Sequence, residues 1–145
     1  MRKDSFTLTE LLVIIGIIGI LTLISIPAFR LFQPTLQLSS LSRELVSDLR
    51  YAQQLTLTEQ IEYCIKFFPL EKKYQLLQCE ETTPLKEKVL PEEIIDLTVV
   101  GFTDNEVRYN PYGAVSEEGT ITLKNSKNET KTILVKPSGF VETTD

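Results

Sequence analysis

The side chains of this sequence that could do chemistry are carboxylates, two thiols and a small group of lysines. Adjacent acids occur as Glu80-Glu81, Glu92-Glu93 and Glu117-Glu118. Paired carboxylates can share acid–base work or hold calcium, but neighbours on a strand point to opposite faces and so do not share a site. The chain has no His, which closes most routes to general-base catalysis, proton shuttling and catalytic zinc. No nucleophile–base pair or phosphate-binding loop is visible, so the expectation is a protein that is not an enzyme, with no cofactor and no metal site. Cys64 and Cys79 suit either a disulfide or two thiols packed as small apolar residues. Lys124, Lys127, Lys131 and Lys136, offset by Glu129, read either as a modest phosphate-binding patch or as the solvated face of a hairpin. Asn128-Glu129-Thr130 matches a glycosylation sequon.

One carboxylate stands apart. From Leu11 to Phe29 the chain has 19 residues whose only polar members are Thr22 and Ser25, and Glu10 sits at the edge of that run. About 20 apolar residues cross a bilayer as a helix. An ionisable group at its start costs a few kcal/mol on insertion scales and usually marks a function or a partner. A secretory signal peptide would have a shorter apolar stretch and a small-residue cleavage motif after it. Pro27-Ala28-Phe29-Arg30 supplies none. A single-pass anchor fits better, with Arg2 and Lys3 holding the N-terminus in the cytoplasm and the remainder facing outward.

The remainder is ordinary in composition. The 145 residues carry 15 Lys plus Arg against 20 Asp plus Glu, a formal charge of −5. Arg2, Lys3, Asp4 and Glu10 contribute two of each sign, so the part from Arg30 onward keeps that acidity. A net acidic chain argues against general affinity for nucleic acid.

Ser5-Phe6-Thr7-Leu8-Thr9-Glu10-Leu11-Leu12-Val13-Ile14-Ile15 resembles the class III, or type IV prepilin-like, signal: a short charged leader, then Phe-Thr-Leu-x-Glu and an apolar helix. The resemblance implies cleavage by a prepilin peptidase between Ser5 and Phe6, N-methylation of Phe6, and a role for Glu10 in placing each subunit in a filament. The family usually has Gly before the cut, where this chain has Ser5, also small. The residues offer a physical reason for the glutamate. An amine exposed at Phe6 would lie one turn from Glu10, and in a bundle the carboxylate of one subunit could pair with the amine of a neighbour. The simpler reading is a Glu at a helix N-terminus, favoured by the macrodipole.

Helical periodicity continues beyond the apolar run. Pro27, 21 residues after Phe6, is expected to kink the helix. Gly16 and Gly19 either let neighbouring helices approach closely or reflect ordinary membrane-helix composition. Leu38, Leu41, Leu45, Leu49, Ala52 and Leu55 form an amphipathic stripe, with Ser39, Ser42, Arg43, Asp48, Arg50 and Gln53 on the rest of the wheel. Gln33-Pro34 interrupts the pattern briefly. The expectation is one nearly continuous helix from about Phe6 to about Glu59, roughly 80 Å long.

From Ile61 the period becomes alternating. Ile61, Tyr63, Ile65 and Phe67 share a strand face, Pro69–Lys73 reads as a turn, and Tyr74–Glu80 as the returning strand. Further strands are expected at Ile94–Val100, Glu106–Tyr109, Thr120–Leu123 and Thr132–Lys136, with turns at Asn110-Pro111-Tyr112-Gly113 and Pro137-Ser138-Gly139. A hairpin centred on Glu71-Lys72 would set Cys64 opposite Cys79, close enough for a disulfide, and an extracytoplasmic location would preserve it. The fold class is therefore α+β, a long N-terminal helix packed on a C-terminal antiparallel sheet.

The later segments, Tyr109-Asn110-Pro111-Tyr112-Gly113, Gly119-Thr120-Ile121-Thr122-Leu123, Ile133-Leu134-Val135 and Ser138-Gly139-Phe140-Val141, resemble the GspH/FimT minor pseudopilins. That pattern has an aromatic-x-Pro-x-Gly turn, a Gly-Thr-led strand and a final strand pair around a Gly turn. The organisation expected is a leader over 1–5, a transmembrane or filament-core helix over 6–29, an amphipathic helix over 30–60 and a globular head over 61–145. The function implied is a minor pilin or pseudopilin that helps assemble, initiate or cap a type IV pilus or type II secretion pseudopilus. Its partners would be other pilin subunits, the prepilin peptidase, the inner-membrane assembly platform and the lipid bilayer. The alternatives are a DNA-uptake minor pilin, which would need a basic patch where the C-terminus is acidic, and a plain membrane-anchored β domain.

Overall fold

The computed structural model describes residues 7–144. Helix α1, Leu8–Glu59, is continuous over 52 residues, and both Pro27 and Pro34 lie inside it. The chain divides into two compact units between Gln33 and Pro34.

In the first unit α1 has no core. Every large apolar side chain described from Leu8 to Phe32 is exposed, from 40% at Ile14 to 78% at Leu8. The stretch Leu8–Pro27 is long and apolar enough to cross a membrane. Thr22 and Ser25 return their hydroxyl protons to the carbonyls of Ile18 and Leu21 at 2.7 Å, so neither presents an unpaired donor to an apolar surrounding.

In the second unit α1 meets eight strands: β1 Tyr63–Phe68, β2 Lys73–Gln78, β3 Lys86–Val89, β4 Ile94–Val100, β5 Glu106–Tyr109, β6 Gly119–Asn125, β7 Thr130–Val135 and β8 Val141–Thr144. They form two four-stranded antiparallel sheets, ordered β3-β2-β1-β5 and β4-β6-β7-β8. The chain crosses from the second sheet to the first after β4 and returns after β5, and Tyr109 and Val115 bridge that return. Leu38, Leu41, Leu45, Leu49 and Ala52 are almost fully buried, and Leu55 packs at the margin of the same core. Tyr63, Ile65, Phe67, Tyr74, Leu76 and Val107 meet them from one sheet, and Ile94, Leu97, Ile121, Leu123, Ile133 and Val135 from the other. Each such side chain removed from water contributes about 1.5–3 kcal/mol before chain entropy is counted.

Several expectations need correction. There are two sheets rather than one. Strands β3 and β8 were not visible in the periodicity, although the pseudopilin resemblance implied a last strand after the Gly139 turn. The β1–β2 hairpin closes through a four-residue loop, Pro69 to Lys72, because Phe68 pairs with Lys73 and Lys72 takes φ 48°. The pair facing Cys64 is therefore Leu77, not Cys79. Strand β1 starts at Tyr63, since Gln60 (φ 58°) reverses the chain past the helix end. The Thr56 hydroxyl, donating to the Ala52 carbonyl and accepting the Tyr63 amide, ties that reversal to α1.

The polar side of the leucine stripe is also not wholly solvated: Ser42 and Asp48 are buried. Asp48 accepts the Tyr74 hydroxyl at 2.7 Å and the Lys86 ammonium at 2.8 Å. Lys86 and Lys88 also reach Glu44, at 3.3 and 2.7 Å. Strand β3 is thus fastened to α1 by charge where its neighbours use apolar packing.

This network makes head stability depend on pH. Burial alone would raise the Glu44 carboxyl, but Lys88 and Lys86 outweigh it and hold it below 4.5. Burial alone would lower the Lys86 ammonium, but Asp48 and Glu44 outweigh it and hold it above 10.5. The Glu44 contribution is present above its unfolded pKa and lost as pH falls through the depressed folded value; the Lys86 contribution is present below 10.5 and lost at higher pH. Chemical denaturation should therefore show stability falling from pH 5 to pH 3, and Glu44→Gln should flatten that fall while lowering stability at pH 7.

Candidate assembly site

The N-terminus of α1 is built by two residues. Thr7 is the last residue before the helix, and its hydroxyl oxygen accepts the Glu10 backbone N–H at 3.2 Å. Glu10 Oε2 accepts in return the Thr7 backbone N–H at 3.0 Å and the Thr7 hydroxyl at 2.9 Å. This reciprocal pair is a capping box, which satisfies donors that the first turn would otherwise leave open. The charge expected to register subunits is therefore held in place by the chain's own first turn. Ser-or-Thr, two residues, then Glu was legible in the sequence; the sequence reading used only the macrodipole. Ser5 and Phe6, the expected cleavage and methylation positions, lie outside the described residues. Pro27 lies within the unbroken helix. Nothing lies within 4 Å of where a Cβ would stand on Gly16 or Gly19, so this face is open to close approach by another helix.

In the head, Cys64 and Cys79 are joined by a disulfide, with Cα atoms 5.2 Å apart. Because Cys64 faces Leu77, the bond runs diagonally, and the Cys79 amide pairs with the Glu62 carbonyl at 3.0 Å just beyond the strand. Closing a loop of 15 residues is worth about 3 kcal/mol in the chain-entropy account. One carboxylate oxygen of Glu106 lies within 4.8 Å of both sulfurs, but the bond occupies the two thiolates a soft cation would need.

The lysines do not gather. Burial alternates along β6, with Leu123 buried and Lys124 on the opposite face. Lys131 pairs with Leu123 and Lys124 with Thr130, so Lys131 and Lys124 belong to opposite faces. Lys136 lies beyond the far end of β7, where it pairs with Glu142 at 3.4 Å, and Asp96 stands opposite Lys124 on β4. Lys127 is in the β6–β7 turn. The acid pairs lie in turns and irregular connections rather than strands. Glu117 accepts the Thr103 amide and hydroxyl at 2.6 Å, and those bonds hold its carboxyl below the usual range; it closes a local turn.

The sequence reading missed a feature of α1 that only the fold reveals. Arg43, Ser47, Arg50, Tyr51 and Gln54, together with Thr143 of β8, line an open groove. Their spacing along the helix was visible; that β8 would wall one side was not.

With this geometry the chain has the pilin-like α+β fold. The solved structures similar to it include the type IV minor pilin FimU of Pseudomonas aeruginosa strain PAO1, with TM-score 0.65 and 14% identity, covering 79% of this chain and 92% of that one. The minor pseudopilin EpsH from the Type 2 Secretion System of Vibrio cholerae is similar with TM-score 0.64 and 10% identity, covering 74% of this chain and 96% of that one. No protein-family model matches the chain, and no curated protein matches it in sequence. At these identities the likeness is one of fold.

The cap gives a local test. Thr7→Ala removes both the hydroxyl acceptor and the hydroxyl donor, a change worth about 1 kcal/mol. Amide hydrogen exchange of the detergent-solubilised chain should then speed up about fivefold at Glu10, with exchange in the head unchanged.

Proposed function

We propose that this chain is a minor pilin or pseudopilin, a structural subunit that enters a filament through α1 and displays its head outside the membrane. The observation that carries the reading is the uncovered apolar stretch of α1 at the start of a chain with a pilin-like fold. A bilayer could cover that stretch before assembly, and helices of other subunits could cover it afterwards. Prepilin peptidase would cut between Ser5 and Phe6 and methylate Phe6, releasing a cationic amine one turn from Glu10. Glu10 would then exchange its own Thr7 for the amine of a neighbour, which fixes how far one helix slides past the next. Gly16 and Gly19 would allow close packing, and Pro27 would loosen the helix where the apolar run ends. Arg2 and Lys3 set the N-terminus in the cytoplasm, and the disulfide suits an extracytoplasmic head. The partners are other pilin-like subunits, the peptidase and the inner-membrane assembly platform, and the chain acts as a structural subunit rather than an enzyme. The scattered lysines give no support to a nucleic-acid receptor.

Intact mass and N-terminal sequencing of the protein from its native membrane test the processing. The expected species begins at N-methyl-Phe6, and Glu10→Ala is expected to abolish filament incorporation while leaving the head folded. A species beginning at Met1 would sink the processed-pilin reading and leave an anchored β domain.

A further inference from the structure

The outward face of α1 carries two arginines that pair with no carboxylate among the described residues. Arg43, Ser47, Arg50 and Gln54 recur at steps of four, three and four, one stripe turned away from the leucine core. Arg43 and Arg50 stand about 10 Å apart along the axis. The groove they share with Tyr51 and Thr143 has a volume near 470 Å³, and among the described residues its lining contains two guanidiniums and no carboxylate. Arg50 is steadied by the Val141 carbonyl, which accepts from Nη2 at 3.4 Å. Arg43 is exposed and has no hydrogen bond or ion pair among the described residues.

The opposite charge collects where α1 hands over to β1. Glu59 accepts the Tyr63 hydroxyl at 2.5 Å, and Glu81 lies near enough to help push that hydroxyl up to about 12. The Glu62 carbonyl pairs with the Cys79 amide, which sets Glu62 beside the exposed Glu80-Glu81 turn. These four acids have one ion pair among the described residues, Arg108 with Glu62 at 3.4 Å. The acid pair that made no catalytic sense is thus part of an acidic rim on a chain of charge −5.

We infer that the acidic rim of one copy seats in the arginine groove of the next. The occupant is a second copy of this chain, because that copy supplies complementary carboxylates. The two patches are different surfaces of one molecule, so the contact between neighbouring copies is heterologous rather than isologous. This deepens the filament-subunit reading and rests on it: α1 fixes register inside the filament, and the charged contact aligns heads outside it.

The test uses the full chain in a non-ionic detergent, with sedimentation velocity in 50 mM and 500 mM NaCl. Self-association at low salt is expected to weaken at high salt, where screening shortens to a few Å. Arg43→Glu/Arg50→Glu and Glu80→Lys/Glu81→Lys should each weaken it about tenfold, and mixing the two variants should restore it between unlike copies. Arg43→Gln, which removes no contact within the chain, should reproduce part of the loss if the double reversal disturbs folding. A chain that stays monomeric at low salt overturns the inference. Association that ignores salt and both reversals, or that the mixture does not restore, overturns it as well. Single-stranded DNA binding that needs Arg43 and Arg50 while copies do not associate would assign the groove to a polyanion and also overturn it. A processed N-terminus at Phe6 with any of these contrary results leaves the filament-subunit reading standing and removes only this contact.

Discussion

The constraint on which the rest depends is that the first part of α1 has nothing to lean on. From Leu8 to Phe32 its described apolar side chains are all exposed, and each Å² of apolar surface removed from water is worth about 25 cal/mol, so this stretch is stabilised by whatever covers it. Lipid can cover it, and so can the matching helices of other subunits; a filament subunit uses one and then the other. The polar residues of the stretch agree with that requirement. Thr22 and Ser25 satisfy their hydroxyls within their own helix, and Glu10 is held by Thr7, so the apolar surface offers no unpaired donor at these positions.

The second unit solves the opposite problem, that of giving a helix end a core of its own. Five residues of the leucine stripe meet both sheets, while β3 is held by Lys86 and Lys88 to Asp48 and Glu44. Asp48 is the buried member of this otherwise half-exposed set, so removing Lys86 would strand its carboxylate, whereas the pairs at Glu44, screened by water, add little. The value of the set is placement, since it fixes β3 at one height on α1. The Gln60 reversal and the Thr56 hydroxyl do the same for β1. The clamp of Gln53 on the Gly113 carbonyl at 2.7 Å seats the Asn110–Gly113 turn against the helix.

What could be read from the sequence was whatever depends on spacing. The apolar run, the leucine stripe, β4 and β5 were legible because their periods are long or clean. Strand β3 was not, because its Lys-Glu-Lys-Val run uses its inward positions for ion pairs and so shows no apolar alternation. The cysteine pairing was legible through a register that the structure corrects: with Lys72 at positive φ the loop closes one residue earlier, at Lys73, and the bond forms diagonally. Asp48 looked like one more polar residue on the wheel, since nothing local announces that Tyr74 and Lys86 will arrive beside it. The lysine group looked contiguous only because sequence order hides which strand face each residue occupies. The arginine groove needed β8 as its wall, a long-range fact that no window of sequence contains.

The central claim is that the uncovered face of α1 packs against other subunits and is more than an anchor. A photo-crosslinking amino acid placed at Ile18 in cells that make the protein natively, followed by mass spectrometry of the adducts, tests it most directly. The expected result is covalent adducts to proteins with a similar apolar N-terminal helix. Adducts to lipid alone would contradict the claim and leave α1 as an ordinary membrane anchor.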